Sequence, residues 1–283
     1  MKDGQIMTPE QQGRETAAAF RREHHLGDQP LGDLVALIER TTGHDVAVLD
    51  AGPDEHGLTM RDPVRDVTFI GVARTRNPMR QRSTLAHELA HVIFADWNGS
   101  QGQDLSARTV QEQRADAFAR HLLVPAAGLK AFLGERTAPS EAALSAVVQG
   151  FLVSPAIAAI ALHDCGYIGA TTKQEWMGLS TPQLATRFGW TDQYESLQSD
   201  SDRTRSPQRL LARTIAGYRE GVVTAQTVAT LRGITVDAAR RELADAGLAP
   251  RDPSVPWMTA RDLPGVSVDL SDLDDESGED VTG

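Results

Sequence analysis

Five consecutive residues, His87-Glu88-Leu89-Ala90-His91, have the types and spacing that suit metal chemistry. In a helix, residues four apart lie only about 40° apart around the axis, so both imidazoles can reach one ion. At about 100° per residue, Leu85, Leu89, Val92 and Ile93 fall on the opposite side, which separates a core-facing stripe from a ligand face. Glu88 neighbours the ligands without being able to replace them, the place for a base that acts on water. Composition alone would produce this pattern in about 1% of chains of this length, and a structural pair of histidines is the competing reading.

Hydrolytic zinc centres keep three protein ligands and one open position, so a third ligand is required. Glu112, 21 positions beyond His91, is the candidate. It falls at the margin of an apolar stripe formed by Ala115, Phe118, Ala119 and Leu122, where an unpaired carboxylate would be costly to bury and an ion would remove that cost. Asp116, one turn further, is placed to accept the free ring N–H of a ligand histidine, with a plain surface acid as its other reading. His121 lies about 180° around the helix from Glu112 and is rejected as a ligand. His24, His25, His44, His56 and His163 lack ligand spacing and read as surface or packing residues. The single cysteine, Cys165, excludes a disulfide framework and a multi-cysteine metal site, and reads as a small buried hydrophobe.

The elements that must position these groups follow from periodicity and punctuation. Thr8 to about Thr42 suggests two scaffold helices broken around Gly27 to Pro30. Asp45–Leu49 and Val67–Ala73, rich in β-branched residues, read as strands, and the second would offer its edge to an extended substrate. Ser83 or Thr84 can cap a helix that runs through TLAHELAHVIFADW and stops near Asn98 and Gly99. A second helix covers about Thr109 to Val124 and ends at Pro125, and helical signals continue over Ser140 to Gln149 and from Ser154-Pro155 to His163. The expected organisation is a first domain over 1–168, a linker over 169–206 holding one short helix from Pro182 to Phe188, a helical domain over 207–250, and an acidic, disordered tail over 251–283. Within 207–250, Ala229, Gly233 and Thr235 fit a helix-turn-helix candidate, although Asp237, Glu242 and Asp245 oppose Arg232, Arg240 and Arg241.

At 283 residues, 40% hydrophobic and 24% charged, the composition is that of a soluble globular chain, and no apolar run approaches the roughly 18 residues of a membrane span. Met1 to Phe20 carries three acids and no apolar core, so no secretory signal is expected and a cytoplasmic location is. Eight acids lie after Arg261, and without them the net charge rises from -11 to -3. No global basic field draws nucleic acid, and DNA binding would need a local patch.

The stretch RSTLAHELAHVIF followed by EQRADAFARHLLVP resembles the ImmA/IrrE family of metallopeptidases. Arg82 and Thr84 also fall on the family pattern, whereas Ser83 stands where the family usually has Phe. The resemblance extends over roughly Leu31 to Ile168 and includes the Phe-x-Val-Ser helix start at FLVSP. It implies an α+β fold with a zincin-like domain, one catalytic Zn2+ on His87, His91 and Glu112, with Glu88 as catalytic glutamate and Asp116 behind a ligand. It further implies cleavage of an intracellular helix-turn-helix repressor of phage, mobile-element or stress genes. Other divalent ions also suit two histidines and a glutamate. Two other functions compete with this expectation: a metal-sensing or DNA-binding transcriptional regulator without proteolysis, and a metallohydrolase acting on a small amide. Survival of activity in Glu88→Gln discriminates the first, and turnover of small substrates without a protein partner the second.

Overall fold

The computed structural model describes residues 7–52, 57–97, 109–134 and 139–251. Two helices open the chain, α1 (Pro9–Glu23) and α2 (Leu34–Thr42). Thr8 and Gln11 form a reciprocal cap at the first, and Asp33 caps the second. A three-stranded sheet follows, made of β1 (Asp45–Leu49), β2 (Gly57–Asp62) and β3 (Val67–Ala73), with the order β1-β3-β2. β3 pairs in parallel with β1, Asp45 opposite Phe69, and antiparallel with β2, Gly57 opposite Val72.

β1 and β3 have the bounds the sequence suggested, and β2 was missed. Its residues, GLTMRD, include a glycine and two charges, and most of their side chains face outward, so the apolar alternation of a half-buried strand is absent. The extra strand overturns one expectation. β3 lies in the middle of the sheet with partners on both sides and has no edge to offer. β2 has the unpaired edge among the described residues, and the outer side of β1 is met at Val48 by a two-hydrogen-bond bridge to Arg205.

Helix α3 (Pro78–Ile93) lies against β2 and β3 and carries the His-Glu-x-x-His run. It begins earlier than expected, because Asn77, not Ser83 or Thr84, accepts the first-turn N–H from Arg80 and Pro78 sets the first helical position. It also ends earlier, at Ile93, while Asn98 and Gly99 lie outside the described residues. Leu85 and Leu89 are fully buried as the stripe predicts, but Ile93 is exposed. Helix α4 (Val110–Leu123), capped by Thr109, packs on α3, and α1 lies along its other side. Gly13 permits that approach: a Cβ there would sit 2.6 Å from both Ala117 Cβ and the Arg114 carbonyl.

Three further helices follow, α5 (Ala126–Leu133), α6 (Glu141–Phe151) and α7 (Pro155–Asp164). The segment expected as a linker is instead largely helical, as α8 (Ala170–Met177), α9 (Thr181–Phe188) and α10 (Thr191–Ser201). Trp176, Leu184, Trp190 and Tyr194 from these helices join the same core as Phe118, Leu89 and Ile70. Ser201 is fastened rather than solvated. Its carbonyl accepts from the buried Gln81 amide at 2.8 Å, and its hydroxyl donates to Thr75. The last helices, α11 (Gln208–Arg219), α12 (Ala225–Arg232) and α13 (Val236–Asp245), have their own small core around Val228, Ala229, Ala239 and Leu243. Residues 1–6 and 252–283, the latter holding the expected acidic tail, lie outside the described residues. Among the described residues no single helix is long and apolar enough to cross a membrane.

Candidate metal centre

The fold brings His87, His91 and Glu112 together. One turn of α3 puts the two Nε2 atoms 3.1 Å apart, and Glu112, in the first turn of α4, reaches them with Oε2 3.0 Å from His87 Nε2 and Oε1 3.5 Å from His91 Nε2. All three donor atoms lie within 4.8 Å of one another. A tetrahedral ion with bonds of about 2.0–2.1 Å has ligand atoms about 3.3 Å apart, so these separations fit one without rearrangement. The imidazoles are largely covered, whereas the Glu112 side chain is 47% exposed. That exposure corrects the expectation of a costly buried carboxylate: Glu112 closes the open side of the centre, facing solvent.

Each imidazole is oriented from behind. His87 Nδ1 lies 3.0 Å from Asp116 Oδ1, as the helical spacing implied. Burial disfavours a charge on His87, but the Asp116 hydrogen bond, with Glu112 and Glu88 nearby, outweighs it and raises the imidazole pKa above its ordinary value. His91 Nδ1 faces Asp96 Oδ2 at 3.3 Å, a residue the sequence reading did not single out. Asp96 is delivered by the helix end. Ala95 takes a left-handed conformation (φ 55), and the Asp96 N–H bonds back to the His91 carbonyl at 2.9 Å, so the chain folds its carboxylate behind the ring. Arg114 of α4 pairs with Asp96 and stacks over Phe94, 4.4 Å from the ring centroid.

Glu88 is positioned from β2, the strand that periodicity missed. The Thr59 hydroxyl donates to Glu88 Oε2 at 2.7 Å. Gly57 leaves the space for that carboxylate, since a Cβ there would sit 2.5 Å from Glu88 Oε1. Held in this way beside the donor triangle, Glu88 remains free of the metal ligands.

Residues 42–163 match the model of the family described as Peptidase_M78, the IrrE N-terminal-like domain. This part of the chain is similar to that family. No curated protein matches the chain by sequence. The IrrE-like domain thus spans all three strands and the helices through most of α7, and it contains every residue of the centre. Its Arg82 is structural. The guanidinium donates to the carbonyls of Leu31, Gly32 and Leu152, tying α3 to two loops, and burial lowers its pKa to about 10 while Asp33 pulls it up. Ser83, at the family's usual Phe position, turns its hydroxyl back to the Arg80 carbonyl.

The remaining histidines stand apart from the centre. His121 bonds Glu10 at 2.7 Å, His24 packs on Phe20, His163 faces Asp164, and His44 has its pKa lowered by burial and Arg209. His56 lies outside the described residues. Cys165 is half-buried beside the core, and burial pushes its thiol pKa up.

Proposed function

We propose that the chain is a zinc-dependent endopeptidase that hydrolyses a peptide bond in an intracellular regulatory protein, a helix-turn-helix repressor being the substrate the family resemblance implies. The observation that carries the reading is the triangle of His87, His91 and Glu112 with Glu88 held beside it on Thr59. A bound divalent ion supplies Lewis acidity, which polarises a peptide carbonyl and acidifies water. His87, His91 and Glu112 would hold that ion, and Asp116 and Asp96 keep the two rings in the tautomer that presents Nε2. Glu88 Oε1, the oxygen not engaged by Thr59, accepts the proton from the attacking water and delivers it to the leaving amine nitrogen. An extended substrate fits the unpaired edge of β2, the strand whose Thr59 holds Glu88.

DNA binding by α12 and α13 has less support. Arg232 is paired with Glu242 and Arg240 with Asp237, which leaves Arg241 as the basic residue of α13 without a carboxylate partner among the described residues. The reading is tested on wild type, Glu88→Gln and His91→Ala, each assayed for metal and incubated with a repressor encoded beside the gene. Wild type is expected to hold about one zinc and cut, Glu88→Gln to hold zinc without cutting, and His91→Ala to lose zinc. Cleavage by Glu88→Gln would refute the mechanism, and a metal-loaded wild type that cuts no repressor would refute the substrate class.

A further inference from the structure

A cavity of about 660 Å³ lies between the C-terminal half of α1, the turn after it and the start of α5, and no residue of the metal centre lines it. Its wall is cationic. Arg14, Arg22 and His25 make no side-chain hydrogen bond or ion pair among the described residues, and all three line the opening. Beneath them Arg21, 4% exposed, donates only to neutral carbonyls: Leu122 at 2.6 and 2.8 Å, Gly27 at 2.6 Å and Gln29 at 3.2 Å. Burial pushes its pKa down to about 10 and Asp28 pulls it up, so the guanidinium stays charged at neutral pH with no carboxylate bonded to it. Asp28 is the one acid among the described residues that line the wall, and His121, which also lines it, is paired with Glu10 at 2.7 Å.

Two backbone features add to this field. Helix α5 starts at Pro125 with no side-chain cap, and Ala126 and Ala127, which face the cavity, supply first-turn N–H groups without a backbone acceptor. At the other side His25 occupies the left-handed position (φ 52) of the turn that ends α1, with Leu26 N–H bonded to the Arg21 carbonyl and His25 N–H to that of Arg22. Glycine is the residue this position favours, so a histidine there costs conformational energy and places an imidazole on the cavity wall.

We propose that this cavity binds an anionic small molecule bearing phosphate or carboxylate groups, at a site separate from the metal centre. Arg14, Arg22 and His25 would engage the anion, and Ala18 and Pro125 would pack against its carbon skeleton. Because Arg21 connects the cavity floor to the last turn of α4, occupancy is expected to raise the thermal midpoint of the whole domain.

The test is calorimetric titration of the full chain with inorganic phosphate and, separately, succinate, at constant ionic strength set with sodium chloride. One equivalent of either anion is expected to bind with a dissociation constant of about 1 mM or lower, the range two or three charge-assisted hydrogen bonds supply. Whichever anion binds names the ligand class, and retention of binding in His91→Ala separates this site from the metal centre. Combining Arg14→Ala with Arg22→Ala should weaken binding at least about tenfold, and Ala18→Trp, which fills the cavity at unchanged charge, should do the same. His25→Gly should melt no lower than wild type and still bind several-fold more weakly. The absence of saturable binding by both anions, or unchanged affinity in Ala18→Trp, would overturn the proposal.

Discussion

Gly57→Ala isolates the placement of Glu88 from every other feature of the centre. Gly57 does not adopt a positive φ, so alanine can take its backbone conformation. The new methyl would lie 2.5 Å from Glu88 Oε1 and 2.8 Å from both Glu88 Cγ and Thr84 Cγ2, whereas ordinary contact begins near 3.4 Å. The carboxylate must therefore recede by about 0.9 Å, the difference between 3.4 and 2.5 Å. Misplacing a reacting group by about 1 Å costs on the order of a hundredfold, roughly 2.7 kcal/mol of barrier. The three atoms nearest the methyl belong to Glu88 and Thr84 and none to His87, His91 or Glu112, so metal content should be unchanged. Purified wild type and variant would be compared for bound metal and for kcat/KM on the same cleaved protein. A variant with wild-type kcat/KM would refute the role of β2 in holding the base, and loss of metal alongside activity would show that the strand supports the ligands instead.

Asp96→Asn should weaken metal affinity about 10–100-fold, measured by competition with a chelator, because the carboxylate behind His91 orients the ring. Wild-type affinity would show that Asp96 serves only its ion pair with Arg114. Trp190→Ala removes a buried indole and its 2.9 Å hydrogen bond to Ser145, and should cost about 3–5 kcal/mol in denaturant unfolding. A loss below about 1 kcal/mol would mean that α8 to α10 do not support the peptidase core. Glu10 has its pKa held below the ordinary 4.5: burial raises it, and the His121 hydrogen bond and Arg120 more than offset that. Its stabilisation is present above the unfolded value and lost as pH falls through the lower folded one. Glu10→Gln should therefore lower the stability near neutral pH by up to about 1 kcal/mol for so exposed a pair, with the gap closing as pH falls below the ordinary carboxylate range. A gap that persists in acid would refute this.

The residues that were legible in the sequence are those whose positions are set by one helix or one strand at a time. The four-residue spacing of His87 and His91 survives any tertiary context that keeps α3 helical, and the same holds for Glu112 and Asp116 on α4. Ser154 caps its helix as the Ser-Pro pair suggested, and Thr109 and Thr235 cap theirs in the same way. The helices α8 and α10 were not legible because their burial depends on distant partners. Each buries one or two aromatic residues, Trp176 in α8 and Tyr194 next to Trp190 in α10, against a core supplied mostly by residues before position 163. A short segment of that composition carries too little periodic signal to be told from a solvated linker.

The unread part of the centre has a common cause. Asp96, Thr59 and Gly57 act through chain reversals and strand pairing, which spacing within one element cannot report. Asp96 reaches His91 only because Ala95 turns left-handed at the end of α3, a conformation alanine seldom takes and sequence does not announce. Gly57 and Thr59 reach Glu88 only because β2 pairs on the far side of β3 from β1, which also places the free sheet edge next to the base. One strand thus holds Glu88 and carries the sheet edge left unpaired among the described residues. A shift of β2 by one residue would turn Thr59 to the other face and release Glu88.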